Sequence, residues 1–301
     1  MRAPQAMART GLRTIAAAGP PPATSEAGDP GPASVADPED ILAELDAGRR
    51  RAARPDPTVA GGWVVDPSVK RAILARFADR STRDWNIGAA WQFRDRVGLP
   101  LKALLDGPEA RAAAAAGRGW RIVPGGTTVR AGCWLGPGVV IMPPSFVNVG
   151  AWIGDDAMID SHVLVGSCAQ VGARVHLAAG VTIGGVLEPP GARPVIVEDD
   201  AFVGSGSGLF DGVLVGRGAV IGAGVTLTGS SRLYDLVRET VHVGSADRPL
   251  AVPPGCVVVP GARALRGGFA EAAGLSVTTA IIVKDRDPGT DARTALEAAL
   301  R

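Results

Sequence analysis

Between Val129 and Leu233 an aliphatic residue returns at nearly every sixth position, a spacing that neither a helix nor a single strand generates on its own. Val129, Leu135, Ile141, Val147, Ile153, Ile159, Val165, Val171, Leu177 and Ile183 form one unbroken frame. After an insertion it resumes at Val197, Val203, Leu209, Val215, Ile221, Leu227 and Leu233. A helix asks for apolar residues every three to four positions and a half-buried strand for strict alternation. A period of six predicts instead three short strands wound into one triangular coil, each coil stacked on the last. The fifth place of the hexad is also small or β-branched, as at Cys133, Val139, Ser145, Ala151 and Ala157, which suits a narrow interior. Glycines at the second place, such as Gly136, Gly154, Gly184 and Gly204, are read as supplying the backbone freedom a corner requires. The fold expected is mainly β: a left-handed parallel β-helix of hexapeptide repeats. A Gly/Val-rich sandwich would need turn signals at roughly eight- to twelve-residue intervals instead.

The flanks read differently. Residues 1–35 are rich in Ala, Gly and Pro and are expected to lack order. Residues 36–120 read as a small helical domain. Ile41, Leu42 and Leu45 recur at helical spacing after Asp37-Pro38, and Val69, Ala72, Ile73 and Phe77 line one face of a helix over 67–78. A third helix or a linker follows over 110–116. The prism itself is assigned to 121–250. In 251–301, strands over 257–259 and 280–284 flank a Gly/Arg loop and predict a β cap on the open end, followed by a short helix over 292–301.

Composition narrows the function. With 31 basic against 30 acidic residues, the chain has no excess charge for a nucleic-acid or anionic membrane surface. No run approaches the roughly 18 apolar residues of a spanning helix. Cys133, Cys168 and Cys256 are far apart, in no metal or redox spacing, which suggests a reducing, cytoplasmic setting.

Several stretches carry a specific resemblance: Met142-Pro143-Pro144-Ser145-Phe146-Val147-Asn148-Val149-Gly150-Ala151, Met158-Ile159-Asp160, Val165-Gly166-Ser167-Cys168-Ala169-Gln170 and Ile183-Gly184-Gly185-Val186-Leu187-Glu188-Pro189. They resemble the tetrahydrodipicolinate N-succinyltransferases of the bacterial lysine pathway, and the likeness runs over roughly residues 40–288. It extends upstream to Lys70-Arg71-Ala72-Ile73-Leu74 and downstream to Ile281-Ile282-Val283-Lys284. The resemblance implies a homotrimer with inter-subunit sites, succinyl-CoA as co-substrate along the groove between prisms, and a small amine acceptor. In that chemistry an amine attacks the thioester directly, so a site must keep the amine unprotonated, stabilise the oxyanion and align both reactants.

On that resemblance Asp160 is the carboxylate beside the acceptor amine, and Arg121 meets the acceptor's carboxylate in a fork. A corner aspartate and an ordinary surface ion pair are the plainer readings of the two. Two departures stand out. The family's second catalytic carboxylate falls on Gly208 and an arginine on Gly206, which predicts an acceptor pocket that is wider and less charged. His162 replaces the tryptophan that usually follows Asp160 by two; it is a candidate for the missing base, or a side chain stacked on Pro144 and Gly180. His176 and His242 are read as structural, and three histidines at 162, 176 and 242 lack a metal-site pattern, so no metal is expected. Glu188 opens an insertion that either covers the groove or is tolerated at a corner. Ser167 is a candidate contact to the acyl or pantetheine chain, as are the backbone donors of Gly184 and Gly185, while Lys284 is a candidate for CoA phosphates. The reading is an acyl-CoA-dependent N-acyltransferase, with the lysine-pathway activity itself as one alternative and an inactive scaffold subunit as another.

Overall fold

A computed structural model describes residues 38–87, 91–245 and 248–294; the expected disorder over 1–35 lies outside the described residues. The hexads form a left-handed parallel β-helix. Two-residue strands stack into three faces. One runs through Trp134, Trp152, Gln170, Ile196, Leu214 and Ala251. A second runs through Arg121, Val140, Met158, His176, Phe202 and Val220. The third runs through Thr128, Phe146, Leu164, Thr182, Gly208 and Thr226. Each frame residue points inward: Leu135, Ile141, Ile159, Val165, Ile183 and Leu209 are all 0% exposed. Burial of that kind is why removing one isoleucine side chain to alanine costs about 2–5 kcal/mol.

The glycines act at a different point from the one expected. The left-handed backbone sits at the fourth place of the hexad, where φ is +77° at Gly138, +78° at Gly150, +62° at His162 and +73° at Gly180. The second-place glycines serve close approach between coils instead. A Cβ on Gly154 would lie 2.5 Å from the nitrogen of Ala173, and one on Gly166 would lie 2.2 Å from that of Gly185.

The N-terminal elements close two sides of the prism. Helix α1 (Pro38–Asp46) and helix α2 (Pro67–Ala78) are amphipathic, and Asp66 caps α2 by accepting from the Ser68 amide at 2.9 Å. Ile41, Leu42, Val69 and Ile73 form one buried cluster with Val149 and Cys168, covering the corner between the Phe146 and Trp134 faces. On the Trp134 face Arg51 stacks 3.8 Å over Trp152 and donates to Gln170 at 3.0 Å, while Trp63 donates to Glu198 at 2.9 Å. Burial lowers the Arg51 pKa to about 10. Besides its helices, this segment forms two antiparallel ribbons, Ala53–Pro55 with Trp63–Val65 and Thr82–Ile87 with Trp91–Arg96. Most side chains of the second ribbon's first strand face solvent, its apolar alternation is limited to Trp85 and Ile87 opposite Phe93 and Trp91, and the exposed Arg94–Asp84 pair spans its two strands.

At the other end Cys256–Ala264 and Ser276–Asp285 pair antiparallel and continue the Met158 face past Val220. Leu233, Val258, Ala280 and Ile282 are buried there and close the core. A final helix covers Pro288–Thr294, and the remainder of the expected 292–301 helix lies outside the described residues. His242 takes part in this cap, with Nε2 3.2 Å from the buried carboxylate of Asp235. Burial raises the Asp235 pKa, but hydrogen bonds from His242, from the backbone N–H groups of Arg238 and Val237 and from the Arg238 guanidinium outweigh it and leave the group below the usual carboxylate range.

Candidate acyl-transfer site

The corner between the Met158 and Phe146 faces has a floor of backbone. His162, Gly180, Gly206 and Gly224 stack there, each in the left-handed region, with φ between +62° and +73°. Their amides hold the coils together: His162 donates to Pro144 at 2.7 Å, Gly180 to Ser161 at 2.8 Å, and Gly206 to Ala179 at 3.0 Å. A Cβ on Gly206 or Gly224 would meet nothing within 4 Å, so the upper corner is open. Below it the exposed His162 lines a shallow cleft of about 300 Å³ with Pro144, Phe146 and Leu164.

Asp160 stands at the entrance to this corner, two residues before His162. Its Oδ1 accepts from the Ser161 amide at 2.7 Å, and its Oδ2 lies 3.9 Å from Nε2 of His176 one coil on. The carboxylate is one-third exposed while the imidazole is 14% exposed and stands edge-on to Phe202 at 5.1 Å. Such a carboxylate is held in orientation yet reaches solvent, which suits a group that aligns an amine and takes up its proton. The ring the structure puts beside Asp160 is thus that of His176. Hexad arithmetic contains the signal, because His176 follows Met158 by one 18-residue coil.

The other candidates are spread over the prism. Arg121 lies on the Met158 face two rungs below the strand of Met158, roughly 10 Å along the axis at the usual strand spacing. Ser167 is 5% exposed, tucked under the start of the insertion, where its carbonyl accepts from the Val186 amide at 3.3 Å. Gly184 and Gly185 begin that insertion. Lys284 sits on the cap strand beside Val257, four ladder steps above His176, or roughly 19 Å, and pairs with Asp287 at 2.5 Å. The chain therefore does not bring Lys284 beside its own Gly184 and Gly185.

The insertion is fastened down. Lys70, wholly buried on α2, donates to the Ala192 carbonyl at 2.5 Å, and burial lowers its pKa. Arg193 donates to the carbonyls of Gly212, Pro249 and Leu250 at 2.8–3.1 Å. Glu188 is exposed on this loop, in a cleft of about 860 Å³ that it shares with Leu74, Arg193, Asp211 and Pro249. Lys70 was legible only as part of the family likeness, since an anchoring lysine has no spacing signature.

Phe210 packs against Gly208 and Gly184. Gly208 is buried, and a Cβ there would lie 2.5 Å from Cε2 of Phe210; one on Gly184 would lie 2.8 Å from Cδ1 of the same ring. A Cβ on Gly206 would meet nothing within 4 Å, whereas beside Gly208 an aromatic ring fills the space. Among the described residues no three His, Cys, Asp or Glu side chains are grouped to hold a metal, and no helix is long and apolar enough to cross a membrane.

Residues 194–229 match the family described as hexapeptide repeat of succinyl-transferase, and residues 150–185 match the bacterial transferase hexapeptide family. A 2,3,4,5-tetrahydropyridine-2,6-dicarboxylate N-succinyltransferase of Idiomarina loihiensis is 41% identical over 87% of this chain and 87% of that protein. The corresponding protein of Dechloromonas aromatica is 37% identical over 90% of this chain and 91% of its own length. A hexapeptide-repeat acetyltransferase of Vibrio cholerae, solved with acetyl-CoA, is 18% identical over 51% of this chain and 70% of that one, with a TM-score of 0.33. On the length and level of its sequence identity, the chain belongs to the 2,3,4,5-tetrahydropyridine-2,6-dicarboxylate N-succinyltransferase family.

Proposed function

We propose that the protein is a cytoplasmic, homotrimeric N-acyltransferase that moves succinyl from succinyl-CoA to the amine of a small amino acid. The observation that carries this reading is Asp160, a carboxylate fixed by a backbone amide and open to solvent at the edge of an uncovered corner. Its place in a chain 37–41% identical to named N-succinyltransferases supports the donor and the reaction type. In the proposed step the acceptor nitrogen bonds to the thioester carbon, the C–S bond breaks, CoA leaves as thiolate, and Asp160 takes the proton lost from nitrogen. His162, exposed on the same corner, is proposed as a second proton acceptor. Arg121 and Glu188 are proposed to act on the acceptor. Gly184, Gly185, Ser167 and Lys284 are proposed to act on the acyl-CoA. These groups lie on different faces and levels of one prism, which supports a site completed by a neighbouring copy. Three buried free cysteines support a reducing compartment.

The test is to incubate the purified protein with succinyl-CoA and L-2-aminopimelate, following free CoA and the mass of the product, with a thermal shift on succinyl-CoA alone as the binding control. CoA release with a succinylated product supports the lysine-pathway acceptor. A thermal shift without turnover assigns the site to another amine. Absence of both overturns the enzyme in favour of a scaffold.

A further inference from the structure

The two oxygens of Asp160 have different surroundings. Oδ1 accepts from the Ser161 amide at 2.7 Å, whereas Oδ2 faces Nε2 of His176 at 3.9 Å. The imidazole occupies the rung between Met158 and Phe202, edge-on to the Phe202 ring, and both its nitrogens are shielded from solvent. Neither ladder neighbour is charged. The charged residues on these three strands lie at the opposite edge of the face: Asp156 before Met158, Arg174 before His176 and Asp200 before Phe202. Arg118 holds Asp156 at 2.6 Å, and Arg174 holds Asp200 at 2.6 and 2.8 Å. Among the described residues, Asp160 is the ionisable group set against Nε2.

Resting on the acyltransferase reading above, we propose that His176 is a positioning residue that acts through Asp160, receiving by way of Oδ2 the proton that the acceptor amine loses. As nitrogen bonds to the thioester carbon, its N–H bond breaks and an O–H bond forms on Oδ2. That O–H bond then breaks as an Nε2–H bond forms, leaving carboxylate and imidazolium. The ring must start neutral with its proton on Nδ1, so that Nε2 turns a lone pair toward Oδ2. Two acceptors facing each other fit a separation longer than a hydrogen bond. Closing it takes about 1 Å, the kind of tightening that an occupied site brings. An imidazole ordinarily holds a proton more tightly than a carboxylate, by roughly two pH units. The ion pair exists only once the proton has moved, so it favours the reaction's course over the bound substrate. With the imidazole nitrogens shielded, the proton leaves through Asp160, which is one-third exposed.

His176→Gln in the full-length protein, with succinyl-CoA and L-2-aminopimelate, is expected to lower kcat roughly tenfold or more at about pH 8. The KM for succinyl-CoA and the thermal shift it produces are expected to stay unchanged. The loss is expected to shrink toward about pH 5.5, where the native imidazole is already protonated and has no site for another proton. A purely structural role would give the same loss at every pH. A second measurement needs no turnover: the ring resonances of the three histidines, assigned by single His→Gln variants, are titrated by NMR. Asp160→Asn is expected to lower the His176 midpoint by about one pH unit and to leave that of His242 in place. Full activity in His176→Gln, a loss that does not vary with pH, or a His176 midpoint unmoved by Asp160→Asn overturns the inference and leaves the acyltransferase reading intact. If the native protein binds succinyl-CoA but turns over no L-2-aminopimelate, the midpoint decides alone. Absence of both turnover and the succinyl-CoA shift overturns the two together.

Discussion

Two corners of the prism meet the same backbone demand with opposite chemistry. Between the Trp134 and Met158 faces the left-handed positions are Gly138, Asp156, Arg174, Asp200, Gly218 and Gly255, and the charges are tied to one another. Arg174 grips Asp200 through two hydrogen bonds of 2.6 and 2.8 Å, Arg118 holds Asp156 at 2.6 Å, and Arg217 reaches Asp199 at 3.0 Å. From the cap, Arg286 donates to the Asp200 and Gly218 carbonyls at 2.9 Å. The corner between the Met158 and Phe146 faces has His162 and three glycines, with open space above Gly206 and Gly224. The left-handed corners of the prism hold Gly, Asp, His, Cys or Arg, at a cost of about 1–2 kcal/mol for residues with a Cβ. Residue identity at these sites therefore reports what the surface is for. One corner is stapled shut, and the other is kept bare beside Asp160.

The comparison can be broken most severely at Asp160. Asp160→Asn keeps an oxygen to accept the Ser161 amide but loses proton uptake, so kcat/KM is expected to fall by roughly 10²- to 10⁴-fold with the succinyl-CoA thermal shift unchanged. The corner covered by α2 depends on packing instead. Ile73→Ala, beneath Gly150 and Cys168, is expected to cost about 2–5 kcal/mol in denaturant melts, with CoA chemistry lost only as the fold is lost.

At the bare corner His162→Gly relieves a left-handed residue that bears a Cβ, so stability is expected to rise by up to about 1 kcal/mol while kcat falls. A rise in stability with full activity would remove His162 from the chemistry. The smallest effect belongs to the charged corner. The hydrogen bond from Arg174 is the main cause holding the Asp200 carboxyl below its ordinary range, so its stabilising contribution is present above the unfolded carboxylate pKa and lost as pH falls through the depressed one. Screened at a surface, that contribution is about 0–1 kcal/mol. Arg174→Ala is expected to flatten the acid limb of the melting profile without changing turnover.

The prism was legible because its interior repeats. Every sixth residue had to be aliphatic, so the frame from Val129 to Leu233 announced the coil. The corner glycines were assigned one function too early: the left-handed turn falls at the fourth place, while the second-place glycines allow the next coil to come close. That distinction needs three dimensions, because both kinds of position select glycine. The ribbon over Thr82–Ile87 and Trp91–Arg96 carries only a short apolar alternation, Trp85 and Ile87 in one strand and Trp91 and Phe93 in the other, and that was its one legible signal. At the site, Asp160 stood out through family likeness. The placement of His176 and Phe210 followed from coil stacking and was available in principle: counting the insertion, Phe210 lies directly above Gly184, one ring at a place where many hexads have glycine.

The central claim is that ligands use the bare corner. Hydrogen–deuterium exchange with and without succinyl-CoA tests it directly. Added protection is expected in peptides spanning Asp160–Ser167, Gly180–Gly185 and Gly204–Phe210, with peptides around Asp156, Arg174 and Asp200 unchanged. Protection confined to the charged corner, in protein that binds succinyl-CoA, would contradict it.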